Sequence, residues 1–251
     1  IYRGPDGGFY LAMTDLHIYA QREGYRDTEW ERDGKAYGWG NNRGLVLMKS
    51  FDLIHWTRTN IRFDQMSKEF AQIGCAWAPE TVYDPATGRM MIYFTMRFGN
   101  EQNRLYYVYV NQDFNRIESI PQILFEYPSG ASAIDGDITP IWNEERQKME
   151  YHLFYVAHES GSGIKQAVSD RIDGSYRFDP RWIDFEPVAC EAPNVWKRIG
   201  EDKWVLMYDI FGINPHNFGF VETSDFVHFK NLGRFNAVSY THLTLPTTSR
   251  V

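Results

Sequence analysis

A two-part unit recurs four times along this chain, and no other feature of the sequence limits its fold as tightly. GGFYLAMTD (7–15), GRMMIYFTM (88–96), KMEYHLFYV (148–156) and DKWVLMYDI (202–210) each follow a Gly- or charge-bearing turn and read as strands. A second element recurs behind them as KSFDLIHWTR, VNQDFNRIES, VSDRIDGSYRF and ETSDFVHFKN. Their aspartates, Asp52, Asp113, Asp170 and Asp225, are separated by steps of 61, 57 and 55 residues. Helical periodicity is scarce, whereas short runs of Tyr, Phe, Val and Ile alternate with Gly, Asp, Asn and Pro turns. A period of this size carrying several strands predicts an all-β chain built as the blades of a β-propeller, with about four blades present.

Three further motifs take their meaning from that frame. WAPETVYD, IDGDITPIW and EAPNVWK each lie a few residues before the repeated strand, so each is expected to form the innermost strand of its blade. Innermost strands line the central axis, and the three motifs would then converge at one end of it. The competing reading is a set of tight turns, each built around a proline. Residues 19–44 interrupt the first blade with a long polar stretch bearing Gly and Trp, the kind of insertion that shapes a cleft. The repeat ends near residue 236, and AVSYTHLTLPTTSRV (237–251) reads as a non-native, vector-like tail outside the domain.

Composition narrows the function. The net charge of -7 is spread along the chain, and nucleic-acid binding needs a clustered basic face instead. No apolar run approaches the roughly 20 residues that span a bilayer. Aromatic residues make up 16% of the chain, which suits a core of packed strands and equally suits neutral, hydroxyl-rich ligands. The two cysteines, Cys75 and Cys190, have neither disulfide-framework nor zinc-ligand spacing, and His152 and His158 flank one strand as structural residues. The chain opens on Ile1 inside a running strand-and-turn pattern, so a missing signal peptide carries no information.

Taken in order, RGPDGGFYLAMT, WAPE, AIDGDI and EAPNVWK resemble the family 43 glycoside hydrolases over residues 1–236. The resemblance implies a five-bladed β-propeller, truncated here at both ends. It also implies an inverting enzyme, secreted or periplasmic, that releases arabinofuranosyl or xylosyl units from plant-type oligo- or polysaccharides. By the same resemblance Glu191 is the general acid and Asp135 the aspartate that orients it and tunes its proton. The family more often has Glu-Gly-Pro where this chain has Glu191-Ala192-Pro193. The general base of similar sequences sits in an Asp-Pro pair just before the RGPDG turn, which places it upstream of Ile1. Asp6, a turn residue, and Asp15, beyond a strand end, are poor substitutes. The fragment is therefore expected to be inactive. No cofactor is implied and no metal ligand is assigned. Some members hold an axial calcium or sodium ion through a fifth-blade histidine.

The residues supply a physical reason for these roles. An acid and a base working together need opposite protonation states, hence different environments. Cys190, Ala192 and Pro193 limit the solvation of Glu191, and an anionic Asp135 nearby would hold its proton by repulsion. A surface glutamate at a strand end is the competing reading of Glu191. Asp137 is the rival of Asp135, which would then be an Asx-turn residue. Trp77 reads either as a floor for a sugar ring or as a buried inter-blade tryptophan. Glu80 reads either as an acceptor for sugar hydroxyls or as a partner in a structural bond. Three other functions remain open: a fructan hydrolase, a mannoside phosphorylase and a non-catalytic sugar-binding propeller. Fructan hydrolases usually carry Glu-Cys-Pro, whereas here the cysteine precedes the glutamate, and no basic cluster stands ready for a phosphate.

Overall fold

The computed structural model describes residues 1–16, 24, 32–159, 161 and 163–235. The described residues form an all-β propeller with four blades, each a four-stranded antiparallel sheet whose strands follow one another in sequence order. Blade one contains β1 (Tyr2–Arg3), β2 (Phe9–Thr14), β3 (Gly44–Ser50) and β4 (Thr57–Arg62). Blade two contains β5 (Ile73–Asp84), β6 (Arg89–Phe98), β7 (Arg104–Val110) and β8 (Gln122–Phe125). Blade three contains β9 (Ile134–Asn143), β10 (Lys148–Val156), β11 (Ile164–Ser169) and β12 (Arg177–Asp179). Blade four contains β13 (Glu191–Lys197), β14 (Trp204–Ile210), β15 (Asn217–Thr223) and β16 (Lys230–Arg234). The three motifs are β5, β9 and β13, each the first strand of its sheet. These first strands pack on one another, β5 against β9 and β9 against β13, which is the arrangement expected around an axis.

The second strands of blades two and three are apolar on both faces because both faces are covered. In β6, Ile92 and Phe94 pack toward blade one with Tyr10, Leu45 and Leu47, while Tyr93 packs toward blade three. In β10, Leu153 and Tyr155 meet blade two, and Phe154 and Val156 meet Leu206, Tyr208 and Val221 of blade four. Successive side chains of a strand leave opposite faces, so a continuous hydrophobic run feeds two inter-blade cores at once. Each large side chain buried this way contributes roughly 1.5–3 kcal/mol.

The aspartate repeat lies at the turn from third to fourth strand. Asp52 accepts the amides of Ile54 and His55 and pairs with the His55 ring at 2.7 Å. Asp225 repeats this with Val227, His228 and the His228 ring, again at 2.7 Å. Leu53 and Phe226, next to these aspartates, share φ near 60° (62° and 57°). Residues 19–23 and 25–31 of the 19–44 insertion lie outside the described residues. Its described end carries one helical turn, Gly34–Tyr37, with the Asp33 side chain accepting the Lys35 amide. The 237–251 tail also lies outside them. No helix among the described residues is long and apolar enough to cross a membrane.

Candidate active site at the inner strands

The inner strands of blades two, three and four share one irregularity. In each, two residues stand opposite one on the neighbouring strand. Ala78–Pro79 face Phe94, Asp135–Gly136 face Tyr155, and Ala192–Pro193 face Tyr208. The first residue of each pair is left-handed, with φ of 43°, 53° and 52°. A non-glycine residue held there costs about 1–3 kcal/mol, and such strain gathers where side chains must be aimed. Register makes the positions equivalent. Trp77, Ile134 and Glu191 precede the bulge, and Glu80, Asp137 and Asn194 follow it. All five residues singled out from sequence therefore sit on one repeated device.

The left-handed residues aim their amides at the preceding blade. Ala78 donates to the Thr14 hydroxyl at 3.0 Å, and Asp135 donates to the Thr95 hydroxyl at 3.0 Å. At the next junction the place of Thr95 is held by Val156, which stands opposite Ile134 as Thr95 stands opposite Trp77. Valine has no acceptor. The Ala192 amide donates instead to Oδ2 of Asp135 at 3.2 Å. This bond sets the Asp135 carboxylate against the residue that follows Glu191, across 57 positions of sequence.

The two carboxyl groups are both shifted toward their acid forms. Burial pushes Asp135 up to about 6, with the charge of Glu191 adding to it and the Ala192 amide opposing it. Glu191, half-buried, is raised by burial first and by Asp209 second, while His158 and His216 pull the other way. The sequence predicts an anionic Asp135 holding the proton on Glu191. Burial is the largest cause for both groups, and at Glu191 the charge that adds to it is Asp209 rather than Asp135. The side chains of Cys190 and Pro193 are buried and shield Glu191 as expected, but Ala192 is exposed and does not. His158 donates Nε2–H to the Cys190 carbonyl at 2.9 Å, so this histidine braces the strand of Glu191 from blade three. His152 is buried and stacks on Phe226.

The other sequence-predicted residues have different surroundings. Asp137 is buried, and its Oδ2 accepts the Val195 amide at 2.9 Å and Asn194 Nδ2 at 3.2 Å, tying blade three to blade four. Burial lifts it to about 7, with Glu80 adding repulsion. Glu80 is itself half-buried and raised by burial. Trp77 is half-buried. It donates Nε1–H to the Gly40 carbonyl at 2.8 Å, carries the Arg97 guanidinium 4.5 Å above its ring, and meets Trp39 edge-on. Trp39 is 78% exposed. Asp6 accepts from Tyr10 and Lys49 and is held down to about 2, burial being outweighed by these bonds. Asp15 accepts from Asn60 of the outermost strand. Among the described residues no three His, Cys, Asp or Glu side chains come together to hold a metal ion, and none is assigned.

A family model for a glycosyl hydrolase 43-related domain, described as a probable glycosyl hydrolase domain, matches residues 1–250. The chain belongs to this glycosyl hydrolase family. No curated protein matches it. Among solved structures it is similar to the native arabinanase of Bacillus subtilis, with 17% identity and a TM-score of 0.58 over 91% of this chain and 72% of the other. An exo-β-1,3-galactanase from Clostridium thermocellum gives 14% identity and a TM-score of 0.59, covering 90% of this chain and 46% of that one. An α-L-arabinofuranosidase from Lactobacillus brevis gives 15% and 0.56, covering 92% and 70%. At these identities the likeness is one of fold. The chain spans 62% of a thermostable family 43 glycoside hydrolase and less than half of the galactanase.

In this member of the family, sequence reading missed the residues whose roles depend on register. Asp209, directly opposite Glu191, sits in an ordinary strand pattern. Arg97 is buried and bonds the carbonyls of Tyr37 and Trp39, fixing the loop beside Trp77. A usable signal did exist for the bulge acceptors. The second strand of blade one ends in MT and that of blade two carries FT at Phe94–Thr95, three residues before its end, whereas that of blade three ends in YV.

Proposed function

We propose that the parent protein is an inverting glycoside hydrolase that releases arabinofuranosyl or xylosyl units from plant-type oligo- or polysaccharides. Glu191 is its general acid, and Asp135 orients that acid and tunes its proton. The observation that supports this reading is the Ala192 amide bonded to Asp135 Oδ2, which sets the Asp135 carboxylate against the residue that follows Glu191. The displacement of both toward their acid forms supports it, since an acid working near neutral pH must keep its proton until the bond breaks. Glu191 gives its proton to the glycosidic oxygen as the C–O bond opens, and a base-activated water attacks the sugar from the opposite face. Asp6 is bound to Tyr10 and Lys49 and Asp15 to Asn60, so neither is proposed as that base. The resemblance puts the base before Ile1, and the 251-residue chain alone is proposed to be inactive or nearly so.

In this reading Trp77 and Trp39 contribute aromatic surface at the rim, Glu80 accepts from sugar hydroxyls, and Asp137 acts by joining blades three and four. The test is hydrolysis of aryl α-L-arabinofuranosides and β-D-xylosides by the intact protein, with the anomer of the first product read by NMR. Turnover with inversion, lost in Glu191→Gln, is expected. Sugar binding with no turnover would favour a non-catalytic propeller, and turnover with retention would contradict the inverting mechanism.

A further inference from the structure

Asp209 stands directly opposite Glu191 on the β13–β14 ladder. Side chains of opposed residues leave the same face of the sheet with Cβ atoms about 4.5–5.5 Å apart, and like charges so placed repel. Elsewhere in blade four, acidic groups are matched by cations: Lys197 pairs with Asp202, Arg198 and Lys203 with Glu222, and Arg234 with Glu186. Among the described residues, no lysine or arginine forms an ion pair with Asp209 or Glu191. The titratable groups that face Glu191 are Asp209 from β14, Asp135 from β9, His158 after β10 and His216 before β15. A cross-strand pair of carboxyls with nothing more cationic beside it than two histidines is relieved when one member keeps a proton.

Asp135 and Asp209 are not interchangeable in this arrangement. Asp135 reaches the Ala192 amide from the neighbouring blade with one oxygen, whereas Asp209 stands on the same sheet as Glu191, and both are half-buried. We infer that Asp209 is a positioning residue of the proposed reaction, acting through Glu191: its carboxylate keeps the leaving-group proton on Glu191, while Asp135 aims it. The inference rests on the reading of Glu191 as the acid. In that step the attacking water forms the new bond to the anomeric carbon and gives its proton to the base, while Asp209 itself neither gains nor loses a proton. Glu191 transfers its proton to the glycosidic oxygen, the C–O electron pair goes to that oxygen, and the residue is left as a carboxylate between Asp209, Asp135 and the two histidines.

The test is direct titration of Glu191 by ¹³C-carboxyl NMR in the intact protein, in wild type, Asp209→Asn, Asp209→Ser and Asp209→Glu, beside the pH profile of kcat/KM. The Glu191 titration is expected to move to lower pH in both neutral variants and to stay in place in Asp209→Glu, with the alkaline limb of the profile following it. A Glu191 titration unchanged in Asp209→Asn and Asp209→Ser would overturn the inference, whether or not the protein hydrolyses glycosides. A titration that moves while the rate profile does not would overturn the catalytic reading of Glu191 and leave the pairing in place.

Discussion

The junction between blades two and three and the junction between blades three and four use the same backbone device for different ends. At the first, the left-handed residue is Asp135, and its amide is satisfied by the hydroxyl of Thr95. At the second, the left-handed residue is Ala192, and its amide takes the carboxylate of Asp135 because Val156 offers nothing. One hydroxyl-to-methyl difference between equivalent positions separates a structural joint from a joint that holds a titratable group. A site can thus be built on a repeated fold by withdrawing a structural partner from one repeat and letting a functional group take its place.

Four variants test the comparison, beginning with the largest effect. Glu191→Gln keeps the shape of the second joint and removes its proton, and hydrolysis of unactivated substrates is expected to fall by about 10²–10⁴-fold in kcat. Circular dichroism should be unchanged.

Stability should next depend on pH through the carboxyls buried at these joints. Asp137 has its folded pKa raised to about 7 and Asp135 to about 6. A raised carboxyl favours the folded state while it is protonated. That stability is complete below the ordinary carboxylate range near pH 4 and is lost as pH rises through about 6 to 7. Denaturant titrations from pH 4 to 8 should show the loss. Asp137→Asn, whose amide oxygen can still accept from Val195, should flatten it by an amount on the order of 2–4 kcal/mol. A slope unchanged in Asp137→Asn would remove Asp137 from the account.

Thr95→Val converts the first joint to the chemistry of the second without supplying a carboxylate. It leaves the Asp135 amide unpaired and is expected to cost about 1–3 kcal/mol of stability. The reverse change, Val156→Thr, offers the Ala192 amide a hydroxyl like those of Thr14 and Thr95. Its expected effect is the smallest, a drop in kcat of about tenfold, equivalent to about 1.4 kcal/mol, with stability nearly unchanged. Unchanged kinetics in Val156→Thr would show that the amide bond to Asp135 does not matter for turnover.

Much of this was legible in the sequence because the propeller repeats. The apolar runs of β6 and β10 and the aspartates at 52, 113, 170 and 225 marked the blades, and the motifs around Ala78, Asp135 and Ala192 marked the inner strands. Cross-strand partnership was not legible. A bulge shifts pairing by one residue, so no reading of spacing could place Asp209 opposite Glu191 or Val156 in the place of Thr95. Asp137 stood beside Asp135 in sequence as its rival. Only the alternation of the strand around a left-handed residue turns one toward the Ala192 amide and the other into a joint with Asn194 and Val195. The burial that lifts both aspartates likewise depends on how blade three lies under blade four.

The most direct measurement of the central claim is the dependence of Glu191→Gln on the leaving group. A glycoside with a dinitrophenol leaving group departs without protonation, whereas an alkyl or sugar leaving group requires it. If Glu191 is the acid that Asp135 holds in place, the variant retains most of the wild-type rate on the dinitrophenyl glycoside and loses nearly all of it on the oligosaccharide. An equal loss on both substrates, or on neither, would contradict the account.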